Sequence, residues 1–124
     1  MKKDPRVYLA QILERIERIA AYTEPGEESF FSNPIVQDAV IRNLEVIGEA
    51  AKRIPEDYRA SLPAIPWRGI TGLRDVLIHQ YEGVNLAEVW RIVEHDLPVL
   101  EGTIRKILPP FDQLEKEISG EEGD

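Results

Sequence analysis

The chain has 124 residues and a formal net charge of −8, with 23 acidic against 15 basic side chains, two histidines and no cysteine. This length fits one domain, and the missing thiols exclude disulfides, cysteine-built zinc sites and thiol catalysis. An acidic body works against broad, sequence-independent nucleic-acid binding, which relies on Lys and Arg to neutralise phosphates.

Two histidines without a His-x-x-x-His spacing leave a transition-metal site little to stand on, although counting alone leaves open a Mg2+ held by carboxylates. No cofactor is called for. The charged start, Met1-Lys2-Lys3-Asp4-Pro5, lacks the apolar stretch of a signal peptide, and no apolar run reaches transmembrane length. A cytoplasmic location without membrane contact is the expectation.

The first predicted helix runs from about Pro5 to Tyr22, because Val7, Leu9, Ile12, Leu13, Ile16, Ile19 and Ala20 recur at three- and four-residue steps. Residues 23–29 break it, and Phe30 and Phe31 are expected to pack where the chain turns back. Asn33-Pro34 reads as a cap followed by proline at the first helical position. The second helix carries Ile35, Ala39, Val40, Ile41, Leu44, Ile47, Ala50, Ala51 and Ile54. Its other face holds Gln37, Asp38, Arg42, Glu45, Glu49, Lys52 and Arg53. Gly48 in mid-helix suggests close packing there.

Residues 54–66, spaced by Pro55, Pro63 and Pro66, read as irregular. A third helix is predicted from Trp67 to about Tyr81. Asn85 with Glu88 three residues on is a good start for a fourth, which runs to about Leu108. Pro98 should kink it, or the helix restarts there with Asp96 as cap. From Pro109 the chain has six acids and one Lys, a local charge of −5 that leaves −3 on the body. Residues 109–124 therefore read as a short, loosely held acidic tail behind a helical domain at 1–108. The fold class is all-α, an antiparallel bundle of four to five helices.

The chemistry gathers in Arg74-Asp75-Val76-Leu77-Ile78-His79-Gln80-Tyr81. On a helix Asp75 and His79 are four apart and share a face, so the carboxylate can fix the imidazole tautomer. Arg74 lies about 140° from His79 around the axis, so the two meet most easily in a groove closed by another helix or a second copy. Histidine is the natural proton-transfer group near neutral pH, and arginine offers a fork of donors that matches phosphate. Together they suit cleavage of an RNA phosphodiester through its 2′-OH. The plainer readings stand beside this one. Asp75 and His79 can be a surface pair, Tyr81 an amphipathic cover for the core, and His95 a solvated residue between Glu94 and Asp96. Arg42, Glu45 and Glu49 can be an ordinary charged stripe, with Glu49–Arg53 an i,i+4 pair worth ~0.3 kcal/mol.

Residues 65–81, IPWRGITGLRDVLIHQY, followed by Gly83-Val84 and Val89-Trp90, closely resemble the HepT-like toxins of the HEPN superfamily. Residues 42–52, RNLEVIGEAAK, and Asp96-Leu97-Pro98 fit the same pattern, so the resemblance covers nearly all of residues 4–108. It implies a helical homodimer and a metal-independent ribonuclease whose Arg-x4-6-His motifs meet across the dimer cleft. Carried onto this chain, Arg74 and His79 become the catalytic pair, with Asp75, Glu49 and Arg42 in supporting positions. Asp75 stands where the family commonly has a polar residue, often Asn. The resemblance further implies an MNT-domain nucleotidyltransferase antitoxin as partner. In related pairs that partner transfers AMP to a tyrosine two residues after the motif histidine, the position of Tyr81. The alternative function is a non-catalytic helical module that binds a nucleotide or the nucleotidyltransferase. A purely structural homodimer is a third.

Overall fold

The computed structural model describes residues 4–73 and 85–119 in full and the backbone of 120–123. Among these residues the chain is a helical bundle without strands: α1 (Pro5–Tyr22), α2 (Glu27–Ser32), α3 (Pro34–Arg53), α4 (Glu56–Ala60), α5 (Trp67–Thr71), α6 (Leu86–Arg91), a π-helical turn (Ile92–Asp96), α7 (Leu97–Ile107) and α8 (Phe111–Gly123). The apolar stripe of α1 packs along α3, and α7 and α5 close over this pair. Leu9, Ile12 and Ile19 of α1, Val40, Leu44 and Ile47 of α3 and Ile104 of α7 have no exposed surface and form the centre of the core. Burying such side chains is the main favourable contribution to folding.

The helix starts follow the sequence signals. The Asp4 carboxylate accepts the Arg6 amide at 2.9 Å, with Pro5 at the first helical position. The Asn33 side-chain oxygen accepts from Ile35 at 3.1 Å and Val36 at 3.4 Å. Asn85 accepts from Glu88 at 3.1 Å. Asn43 is the polar side chain buried inside the described core. Its amide donates to Ala39 O at 2.8 Å, and its oxygen accepts from Arg15 at 3.2 Å. Both of its polar ends are thereby satisfied.

Four expectations change in the N-terminal half of the chain. The break after α1 holds a helix of its own, begun at Gly26, whose φ of 104° favours glycine. Phe30 goes fully inside and stacks against Trp90 with ring centroids 5.2 Å apart, while Phe31 stays 41% exposed. Ile35, counted with the apolar stripe, lies exposed in the first turn of α3. The proline-spaced stretch after α3 contains α4, whose first turn carries Glu56 and Asp57 at its positive end.

Asp96 does not cap a new helix. Its backbone stays helical and its carboxylate accepts from Arg91 at 3.1 Å. Proline has no N–H, and its ring crowds the carbonyl four residues back. The π-helical turn over Ile92–Asp96 widens the backbone just before Pro98 and absorbs that conflict.

Residues 111–123, expected as a loosely held tail, form α8. Leu114 is 4% exposed and belongs to the core cluster, with Ile118 packed beside it. Glu117 pairs with Arg6 of α1 at 2.8 Å. Sparse apolar residues among many charges concealed this helix, but Phe111, Leu114 and Ile118 fall at three- and four-residue steps and make one face.

Candidate functional site

Arg74, Asp75, His79 and Tyr81 lie outside the described residues, so their geometry remains that argued from sequence. The structure describes the two flanks of this segment. On the N-terminal side Ile70 of α5 and Leu73, two residues past its end, lie in the core, while Arg68 is left exposed. Trp67 is half-buried, and its indole N–H donates to Leu62 O at 3.0 Å, which fixes the ring.

On the C-terminal side Asn85 starts α6, where Val89 is buried. Arg91 joins Glu88 at 2.8 Å and Asp96 at 3.1 Å. Hydrogen bonds from Arg91 hold the Glu88 carboxyl below its ordinary range, and the same pairs raise Arg91. Ile70 and Leu73 on one side and Ile92 and Leu97 on the other line a mainly apolar groove rimmed by this charged trio. Both flanks are thus anchored in the same core.

The two supporting residues on α3 are seven apart and therefore on one face. Arg42 is 68% exposed and reaches Glu45 at 3.5 Å. Glu49, one helical turn past Glu45, is half-buried. No Glu49–Arg53 ion pair forms among the described residues. His95 is 66% exposed, with Nε2 3.2 Å from Glu94, and so sits in the solvated position expected of it. Among the described residues no three acidic or imidazole groups gather as a cation cage.

One feature was missed from sequence. Arg59 of α4 comes beside Trp67 and Arg68 in an open groove that Pro63, Ile65 and Thr71 also line. The signal was available in Pro55-Glu56-Asp57, a proline followed by two acids, which is a helix start. A helix there carries Arg59 toward α5.

A helical bundle with an Arg-x4-His segment held between two core-anchored flanks defines a recognisable class. Residues 12–107 match the model of the family described as "Ribonuclease HepT-like", and the chain belongs to that family. It is 44% identical over 108 residues to the "Probable ribonuclease HepT" of Thermococcus cleftensis, covering 86% of this chain and 98% of that one. It is 39% identical to a "Putative RNase" of Caldanaerobacter subterraneus subsp. tengcongensis, covering 86% and 96% of the two chains. A "Gamma-glutamylcyclotransferase and putative RNase" of Methanocaldococcus jannaschii shares 44% identity across 91% of this chain, which spans about half (51%) of that larger protein. No solved structure gives a significant match. No helix among the described residues is long and apolar enough to cross a membrane.

Proposed function

We propose that this chain is a metal-independent endoribonuclease, the toxin of a toxin–antitoxin pair. The observation that carries the reading is the Arg74-x4-His79 motif inside a chain whose HepT-like match spans residues 12–107. Relatives named as ribonucleases, similar to it over most of its length, support it.

In this reading neutral His79 takes the proton of a ribose 2′-OH. The 2′-oxygen attacks the adjacent phosphorus, the bond to the 5′-oxygen breaks, and that oxygen leaves with a proton given back by the His79 imidazolium directly or through water. The products are a 2′,3′-cyclic phosphate and a 5′-hydroxyl end. Arg74 stabilises the charge that builds on the phosphoryl oxygens. Asp75 orients the imidazole, with Glu49 and Arg42 supporting from α3. Arg74 and His79 are five residues apart, so a cleft between two copies is the natural place for them to converge on one phosphate. The working unit is a homodimer in the cytoplasm.

Tyr81 is the regulatory position in this scheme. An MNT-domain nucleotidyltransferase antitoxin transfers AMP from a nucleoside triphosphate to the phenolic oxygen and releases pyrophosphate. The added bulk and negative charge then block the cleft and repel RNA. RNA cleavage by unmodified protein beside the His79→Ala variant tests the proposal. Wild type should leave a cyclic phosphate, and His79→Ala should cut nothing while remaining a dimer. Equal cleavage by the two proteins would sink it.

The net charge of −8 favours a second reading, a non-catalytic module that binds a nucleotide or the nucleotidyltransferase. Wild type that binds that partner but leaves RNA intact would select it.

A further inference from the structure

The groove between α4 and α5 is not part of the motif, yet Thr71 in its lining precedes Arg74 by only three residues in the sequence. Among the described residues its polar lining is two guanidiniums, Arg59 and Arg68, with one carboxylate, Glu56, and the Thr71 hydroxyl. Neither arginine is held by an ion pair among the described residues, in contrast to Arg6, Arg18, Arg91 and Arg105. The Nε of Arg59 is buried and has no hydrogen-bond partner among the described residues. A buried donor on a cation without a partner is costly, and because that Nε has no accessible surface, an anion in the groove would meet the guanidinium through its terminal nitrogens and offset the cost of the unpaired charge. Beside these charges stands Trp67, half-buried and fixed by its bond to Leu62 O, with Pro63 and Ile65 completing an apolar wall.

We propose that this groove is a subsite for the substrate strand, taking a backbone phosphate between Arg59 and Arg68 and stacking a base on Trp67. The inference rests on the ribonuclease reading for the identity of the strand. A fixed aromatic face next to unpaired guanidiniums is the combination that holds single-stranded nucleic acid without reading its sequence. Thr71 precedes Arg74 by three residues, so covalent geometry keeps their Cα atoms within about 11 Å. A strand held in the groove is therefore within reach of the motif. The subsite also answers the charge problem, since capture depends on a few unpaired arginines rather than on net charge.

The test uses the full chain, unmodified, and a fluorescent single-stranded 2′-O-methyl RNA, which lacks the attacking hydroxyl and cannot be cut. Binding is read by anisotropy across a salt series. Each phosphate neutralised on a single strand contributes about −0.7 to the slope of log K against log salt. Arg59→Gln/Arg68→Gln should flatten the slope by about 0.7, the share of one phosphate, and weaken binding by on the order of tenfold for each arginine replaced. Arg59→Lys/Arg68→Lys should keep most of the slope. Arg68→Gln alone, at an exposed position, should show half the flattening without any effect on folding. In a Trp90→Phe background Trp67 is the sole indole, and its emission should change on saturation with the strand.

Wild type that does not bind the strand, or glutamine variants with the wild-type slope, would overturn the subsite. So would glutamine variants that lose only the nucleotidyltransferase, which would make the groove a protein interface. None of these results depends on cleavage. Failure of the nuclease reading would appear separately, as intact natural RNA in the presence of wild type.

Discussion

Leu114→Ala separates a docked C-terminal helix from a loose tail. Leu114 is 4% exposed within the core cluster, although it lies beyond the family-matched residues 12–107. The substitution removes three buried carbons at roughly 0.8 kcal/mol each, or about 2.4 kcal/mol of transfer free energy. A residual cavity adds to this, but a terminal helix can settle inward and reduce it. We expect a loss of about 2–3 kcal/mol. For a chain of this size that corresponds to a fall in Tm of roughly 6–12 °C. The assay is thermal and denaturant unfolding at one fixed protein concentration, since the stability of any self-associating chain depends on concentration. Glu117→Gln is the control. It removes the pair with Arg6, in which Glu117 is 40% exposed, and should cost under about 1 kcal/mol. A Leu114→Ala protein whose Tm and denaturant midpoint match wild type would refute the docking of α8.

Phe30→Ala should cost about 3–5 kcal/mol and shift the fluorescence of Trp90, whose ring it touches, whereas Phe31→Ala, at an exposed position, should cost under about 1 kcal/mol. Equal effects would mean that the two rings are wrongly assigned to inside and outside. Asp4→Ala removes both the α1 cap and the pair with Arg6, for a loss of about 1–2 kcal/mol near neutral pH. Arg6 holds the Asp4 carboxyl below its ordinary value of 3.8 by hydrogen bonding. A lowered folded-state value means that the contribution is present above the unfolded value and lost as pH falls through the folded one. The stability gap between wild type and Asp4→Ala should therefore be widest above about pH 4 and close below it. A gap independent of pH would contradict the role given to the charge.

The long elements were legible because their signals are local and redundant. The α1 stripe repeats over five turns, and Asn33-Pro34 and Asn85 each put a cap where a side-chain oxygen meets free amides. The short helices were not, because five or six residues cannot stabilise a helix alone. What holds α2 is tertiary: Phe30 buried against Trp90, and the Gln37 amide donating to Phe30 O at 2.9 Å from the next helix. The groove was hidden for the same reason, since Arg59 meets Trp67 only once α4 exists. The π-helical turn was half legible. Pro98 announces a disturbance, but a kink, a restart and a widened turn satisfy it equally in one dimension.

The acidity of the chain and the handling of a polyanion are reconciled by where the charges are tied. Arg6, Arg18, Arg91 and Arg105 lie within 2.7–3.1 Å of carboxylates of the same chain, so their fields largely cancel at short range. Beyond a Debye length of about 8 Å at physiological salt, distant carboxylates are largely screened. The potential that a bound strand meets is then set by the groups beside it. At the α4–α5 groove, among the described residues, these are two unpaired guanidiniums and Glu56. Neutralising Glu56 should therefore strengthen strand binding more than neutralising Glu28, an exposed acid on α2. Comparing Glu56→Gln with Glu28→Gln by anisotropy on the same uncleavable RNA checks this, because both variants change net charge equally. If the two gain affinity alike, global charge governs capture and the local account fails.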